Sequence, residues 1–424
     1  MTGSSDGPEA HAAALAGLPG MTAVRLARLL DGVRPVDAWQ AVVRGSHPAD
    51  PRRKFAGPAR TVDVGRVAER YEGHGIEILL PGTARYPRGL EADPGAPAVL
   101  FALGDPTRVD GLPRVAIVGT RSPTHYGLQV ASELSAELAS KGVVVVSGLA
   151  IGIDGAAHAG VLRGAGESAA PPAAVVGTGL DEVYPSRNRE LWGEVAAHGV
   201  VFSESSLGTK ARPGLFPARN RIIAALSDVV VVVESHRRGG SLYTAEAAAR
   251  RSIPVCAVPG SVRSPASAGT NGLLVDGCVP VRDATDVLVA ISLARAGRGT
   301  RPGEGMSDRE PHRSKAGADD ADVGSSGLAA SASASSAGSA SGAGSAAGAG
   351  SGSAAARAHR TSGAEASELS PMERGVFGSI DDTPTAFETI LIRTDLSVAT
   401  AVQVCDRLVE LGFVREGAGW WSRC

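Results

Sequence analysis

The sequence predicts an α/β protein: a Rossmann-like doubly wound parallel sheet, preceded by a small N-terminal helical domain and followed by a C-terminal winged-helix domain. Three observations carry this. Between Ile76 and about Ala290, short β-branched apolar runs alternate with helical stretches, the pattern of buried parallel strands with helices on both faces. Residues 11 to 45 place apolar positions at helical spacing. The chain closes on three short helical patterns and a small hairpin. A length of 424 residues accommodates two or three domains. The expected division is 1–70 helical, 71–293 Rossmann-like, 294–366 linker and 367–424 winged-helix-like.

In the first part, Leu18-Pro19-Gly20-Met21 interrupts the helical pattern with a tight turn, followed by the amphipathic Thr22 to Leu30. Such a hairpin can direct backbone N–H groups at a phosphate, but Gly-Pro helix turns are common and equally serve packing. Ile76 to Leu103 is expected to add a hairpin or an edge to the sheet. The strands are read at Val115 to Val118, Val143 to Val146, Ala173 to Val176, Val200 to Phe202, Val229 to Val233 and Val255 to Val258. From Ser325 to Ala356 the chain is almost pure Ala, Gly and Ser, which buries too little apolar surface to offset chain entropy and reads as a flexible linker. Beyond it, helices are expected from Pro371, over Thr385 to Ile392, and from Ser397 to about Leu411.

Nothing near Met1 resembles a secretory signal, and no stretch approaches the roughly 20 apolar residues that span a bilayer. A soluble, cytoplasmic protein with no membrane partner is expected. Cys256, Cys278, Cys405 and Cys424 are scattered, with no C-x-x-C pair, so neither a disulfide frame nor a zinc site is expected. The formal net charge is −2, but backbone binding depends on where charge sits. Residues 1 to 70 carry ten Arg/Lys against seven Asp/Glu, or +3, whereas residues 366 to 424 carry five against nine, or −4. Ser205 to Ser227 holds Lys210, Arg212, Arg219 and Arg221 with no acidic residue.

The chemistry concentrates in glycine turns that follow strands. Gly119-Thr120-Arg121-Ser122 leads through Tyr126-Gly127 into a helix; backbone N–H groups and a helix dipole there can face a phosphate. Its glycines are eight apart and enclose an arginine, unlike G-x-G-x-x-G, which demotes a dinucleotide cofactor. Ser147-Gly148 to Gly152, Gly177 to Asp181 and Gly239-Gly240-Ser241 repeat the arrangement. All of these turns are expected at the carboxyl edge of the sheet, where Gly148 and Gly152 would allow a ligand close to the backbone. Asp154 and His158, four apart, suggest a metal or catalytic pair, but a helix cap and an internal hydrogen bond explain them more simply. Arg219 and Arg221 can instead pair with Glu204 or Glu234 and hold the fold.

The ordered series Gly119-Thr-Arg121-Ser, Ser147-Gly to Asp154-x-x-Ala-His158, Gly179-x-Asp181-x-x-Tyr-Pro185, Phe216-Pro-x-Arg-Asn-Arg221 and Gly240-Ser-Leu-x-Thr244 is similar to the DNA-processing protein A (DprA/Smf) family. The resemblance covers roughly Ile76 to Ala290. It implies cooperative binding of single-stranded DNA, dimerisation through the Rossmann-like domain, and loading of the RecA recombinase onto DNA entering by natural transformation. It places the DNA pocket at Arg121 and Lys210. Around them the expected site comprises Gly119, Ser122, Tyr126, Gly127, Gly148, Gly152, Phe216, Arg219, Asn220, Arg221, Gly240 and Ser241. No catalytic residue, cofactor or metal is expected. The alternative is a nucleotide base–ribose hydrolase, with Glu246 after the Gly239-Gly240 turn as its acid.

Overall fold

The protein was described as a computed structural model, which covers residues 7–164, 169–212, 214–299, 369–380, 385–394, 396, 398–410, 413–417 and 420–423. Five helices open the chain: α1 (Pro8–Ala16), α2 (Ala23–Leu30), α3 (Pro35–Arg44), α4 (Ala56–Ala59) and α5 (Val64–Gly73). Their ends follow local chemistry. Thr22 accepts the Arg25 N–H and caps α2, Asp63 accepts the Arg66 N–H and caps α5, and α3 stops at Gly45, whose φ of 71° is left-handed.

The sheet then builds from β1 (Ile76–Leu79), α6 (Arg88–Glu91), β2 (Leu100–Gly104), β3 (Arg114–Val118), α7 (His125–Ser140), β4 (Val144–Ser147) and α8 (Ile153–Arg163). It continues through β5 (Ala173–Val176), α9 (Arg189–His198), β6 (Val200–Ser203), α10 (Leu215–Ala225) and β7 (Val229–Val232). The last elements are α11 (Leu242–Ala249), β8 (Val255–Ala257), α12 (Ala268–Val275), β9 (Val279–Pro280) and α13 (Ala284–Gly299). Strand order is β1-β2-β6-β5-β4-β3-β7-β8-β9. Seven strands, β3 to β9, are parallel to their neighbours; β2 runs antiparallel to β6, and β1 antiparallel to β2. The sheet is therefore mixed and mostly parallel, with the hairpin expected before Leu103 forming its edge.

Alternation along each strand divides the core. Val115, Ile117, Val145, Val229 and Val231 pack on one face with Leu134 and Leu138 of α7 and Val161 of α8. Ala116, Val118, Val144, Val146, Val230 and Val232 pack on the other with Ile222 and Ile223 of α10 and Ala248 of α11. Leu15, Trp39 and Tyr71 of the first five helices share a third cluster with Phe101, Val201 and Trp192. Tyr71 stacks on Phe101 with ring centroids 4.9 Å apart, and its hydroxyl accepts the Leu207 N–H at 3.2 Å.

α13 runs to Gly299, six residues into the segment expected as linker; the linker from 300 to 366 lies outside the described residues. Further on lie α14 (Pro371–Ser379), β10 (Thr385–Ala386), α15 (Phe387–Thr394), α16 (Val398–Glu410), β11 (Val414–Gly417) and β12 (Trp420–Arg423). Ser370 and Glu373 exchange side-chain and backbone hydrogen bonds across the start of α14, forming a capping box. One expectation is corrected here. Thr385 and Ala386 are a short strand opposite Trp421 and Trp420, and the helix begins only at Phe387. Pairing with a strand 35 residues away overrides the local helical pattern.

Replacing Tyr71 by Ala removes the stacked ring and leaves the Leu207 N–H without its acceptor. The expected loss is about 3 kcal/mol of unfolding free energy, read as a lower urea midpoint; an unchanged midpoint would show that the first helices contribute little to the common core.

Candidate nucleic-acid interface

From β3 the chain winds outward through β4, β5 and β6 on one side, and through β7, β8 and β9 on the other. β3 and β7 thus form a topological switch point, where the loops leaving adjacent strands diverge and open a crevice. The loops are joined at its base: Val233 N–H donates to Val118 O at 3.0 Å, and Thr120 N–H donates to Glu234 O at 2.8 Å. Above them lies a cleft of about 550 Å³, within the range of small-ligand sites. The Gly119-Thr120-Arg121 turn, Phe216 and Asn220 of α10, and the Gly239-Gly240-Ser241 turn form its walls.

The floor is a buried ionic cluster. Arg219 donates to the Val175 carbonyl and lies 3.8 Å from Asp154 Oδ2, with both side chains less than a tenth exposed. Burial pushes the Arg219 guanidinium down to about 10, only partly opposed by Asp154. Burial likewise raises the Asp154 carboxyl, opposed by Arg219 and by the backbone N–H groups of Gly119 and Gly148. Asp154 therefore does not cap α8, whose N-cap is Gly152; it binds the turns after β3 and β4 to α10. His158 is fully buried with its ring beside the Ser147 backbone, and neither ring nitrogen closes a well-formed hydrogen bond. Burial lowers its pKa to about 3, against the opposing influence of the Ser147 backbone.

This cluster explains the glycines differently from a ligand. A Cβ on Gly148 would overlap the Arg219 guanidinium, and one on Gly152 (φ 88°) would overlap the Thr120 carbonyl and stand 2.9 Å from Arg121 Cα. A Cβ on Gly119 would meet Ile153 and the Glu234 carbonyl at 2.9 Å. These three glycines let protein segments cross.

The N-terminus of α7 is also occupied. Buried Glu234 accepts the Thr124 N–H at 2.9 Å and its hydroxyl at 2.6 Å, while Thr124 Oγ1 accepts the Gly127 N–H. Gly127 sits directly against the Glu234 carboxylate. The positive end of that helix faces a carboxylate of the protein itself, so a phosphate cannot use it as the sequence suggests. Tyr126 leans away from the cleft, its hydroxyl donating to Pro259 O at 3.0 Å.

The rim carries the free charge. Arg121 is exposed and its guanidinium lies 4.7 Å from the Phe216 ring centroid; Phe216 in turn packs 5.4 Å from Tyr184. Arg212 lines the cleft, whereas Lys210, two residues earlier, is exposed outside the lining. Arg237 and Arg238 are exposed in the loop before Gly239. Among the described residues, none of these five cations has an ion-pair partner. Ser122 is exposed, its N–H donating to Thr120 Oγ1 at 3.2 Å. Asn220 donates to Gly240 O at 3.3 Å and ties α10 to the next turn, and Ser241 donates to Ser235 Oγ at 3.0 Å. Arg221 points elsewhere, into an ion pair with Glu204 at 2.5 Å.

Sequence reasoning singled out Arg121, Phe216, Asn220 and Gly240, which the fold brings to one cleft. It named Arg212 in the basic segment and Tyr184 in the Tyr-Pro185 motif without assigning either to the site, and it missed Arg237 and Arg238, for which the basic doublet before Gly239-Gly240 was the available signal. Glu246, the acid of the hydrolase alternative, pairs with Arg250 at 2.6 Å and is absent from the cleft lining. Among the described residues, no cluster of three His, Cys, Asp or Glu could hold a metal, and no helix is long and apolar enough to cross a membrane.

Comparison with known proteins gives a consistent result. Residues 77–292 match the family model described as DNA recombination-mediator protein A. The chain is 39% identical over 222 residues to DNA processing protein DprA of Bacillus subtilis, spanning 52% of this chain and 73% of that protein. It is 37% identical over 334 residues to a putative DNA processing protein DprA of Mycobacterium tuberculosis, spanning 72% and 84%. Its fold is similar to the X-ray structure of DNA processing protein A from Streptococcus pneumoniae, with a TM-score of 0.58 and 31% identity, covering 68% of this chain and 98% of that one.

His158 makes stability pH-dependent in a defined direction. Its folded pKa of about 3 lies below its ordinary value of 6.5, so the unfolded chain binds the proton first, and stability falls as pH drops from about 6.5 toward 3. Asp154, with a raised pKa, contributes the opposite slope. Urea midpoints measured from pH 7 to pH 4 are expected to fall less in His158→Gln than in the unsubstituted protein; parallel curves would show that His158 is not held neutral.

Proposed function

The chain belongs to the DNA recombination-mediator protein A (DprA/Smf) family, and on that premise we propose that it binds single-stranded DNA in the cleft at the β3/β7 switch point. One observation carries the proposal: among the described residues, every exposed charge on the rim that lacks a partner is positive, while the carboxylates beneath, Asp154 and Glu234, are buried and engaged. A polyanion meets no opposing carboxylate there. Arg121, Arg212, Lys210, Arg237 and Arg238 neutralise phosphates, release counterions and make affinity fall steeply with salt.

Preference for single strands follows from the aromatics. Tyr184 and Phe216 offer ring faces to a base, and only an unpaired base has a face to offer in return. Such a binder needs no catalytic group or cofactor. Dimerisation, a cytoplasmic location, delivery of the coated strand to RecA, and a winged-helix role for α14 to β12 complete the proposal and rest on the family resemblance.

Fluorescence anisotropy with a labelled oligonucleotide and its duplex, across a salt series, tests it. The unsubstituted protein is expected to prefer the single strand. Arg121→Glu/Arg212→Glu, with an unchanged melting temperature, is expected to bind on the order of tenfold or more weaker, with a salt slope shallower by about 1.4, or 0.7 for each phosphate lost. Because Arg212 lines the cleft and Lys210 does not, Arg212→Glu is expected to weaken binding more than Lys210→Glu. Equal weak binding by parent and double variant would remove the cleft from consideration.

A further inference from the structure

A second concentration of exposed positive charge lies on the N-terminal helices. Between residues 44 and 60 the chain carries Arg44, Arg52, Arg53, Lys54 and Arg60 against one acid, Asp50. Asp50 is buried, and its two oxygens accept the backbone N–H groups of Lys54 at 2.9 Å and Phe55 at 3.0 Å. The five cations are exposed, so the solvent-facing charge of this segment is entirely positive. The α1–α2 turn adjoins it. Lys54 Nζ would stand 3.5 Å from a Cβ on Gly20, and Arg25 donates to the Gly20 carbonyl at 2.9 Å.

A groove lies along α2. It measures about 380 Å³ and runs between Val24, Ala27 and Arg28 of α2 and the Pro94-Gly95-Ala96 loop. Its far wall is the Glu204–Arg221 pair, and Arg221 follows Asn220, which lines the cleft. Arg28 lies one helical turn beyond Arg25, so α2 carries cations from the turn to the groove. Two carboxylates face this path: Asp31, which is exposed, and Glu204, which Arg221 neutralises. In the groove itself Arg28 and Arg221 balance Asp31 and Glu204, Arg25 adds a positive charge one turn before Arg28, and Val24 is half exposed on the groove wall.

We propose that a single strand held in the cleft continues along the α2 groove and makes a second phosphate-backbone contact on the basic face around Gly20, Arg28, Arg44 and Lys54. The contact is independent of sequence, because nothing in it offers a specific edge-on hydrogen-bonding set to bases. It lengthens the occupied site and adds to the salt dependence, so long strands bind more tightly than short ones. The proposal rests on the cleft being the primary site, and its test separates the two.

The test compares oligonucleotides of about 6 and about 25 nucleotides, the shorter one within the site size of a single binding module. The variant is Arg28→Glu/Arg44→Glu/Lys54→Glu, three side chains with no ion pair among the described residues. The expected result is unchanged affinity for the short strand, affinity for the long strand lowered on the order of tenfold, and a salt slope for the long strand shallower by about 2. The neutral set Arg28→Gln/Arg44→Gln/Lys54→Gln is expected to give a smaller loss of the same kind, which guards against misfolding of the reversed variant. Parent-like binding of both lengths would overturn the proposal and assign the patch to a different acidic partner. Equal loss at both lengths would also overturn it, since the contact would then not be separate from the cleft. If the unsubstituted protein bound neither strand, the cleft assignment itself would fall.

Discussion

The buried contact between Arg219 and Asp154 is the interaction on which the cleft depends. Arg219 comes from α10 and reaches the carbonyl at the end of β5; Asp154 comes from α8 and takes N–H groups from the turns after β3 and β4. Five parts of the chain thus meet at one ion pair. Desolvation moves both groups toward neutrality, so the pair is held by its surroundings more than it stabilises them. Loss of one partner would strand the other charge in the core, at a cost on the order of 3–5 kcal/mol. The Gly119-Thr120-Arg121 turn has its shape because Asp154 and the Glu234 backbone fix it, and Arg121 stands at the rim as a consequence.

The same site shows how the protein separates holding from binding. Glu234 and Thr124 satisfy the start of α7, and Arg221 is occupied by Glu204. What remains unpaired is the exposed set at the rim, stacked in part on Phe216. Binding a strand there breaks no internal ion pair, so little of the electrostatic gain is lost to reorganisation.

Much of the fold was legible in the sequence. The runs at Val115, Val143, Ala173, Val200, Val229 and Val255 became strands with ends shifted by at most one residue, because short, β-branched apolar runs bounded by glycine turns favour buried strands between helices. Thr385-Ala386 was misread because its partner strand is at the end of the chain. In the site, Arg121 and Phe216 were visible from the loop that contains them. The occupation of the α7 N-terminus was not, since Glu234 lies 110 residues from Thr124 in sequence. Gly148 illustrates the same limit: its lack of a side chain reads as room for a ligand until Arg219, 71 residues on, is seen to fill the space.

The most direct measurement is a crystal structure of the protein with a short oligodeoxythymidine. The account predicts a phosphate bound between Arg121 and Arg212, with a base against the Tyr184–Phe216 pair and the Arg219–Asp154 contact intact beneath. A strand bound at the opposite edge of the sheet, or one reaching the cleft only after Arg219 has turned outward, would contradict it.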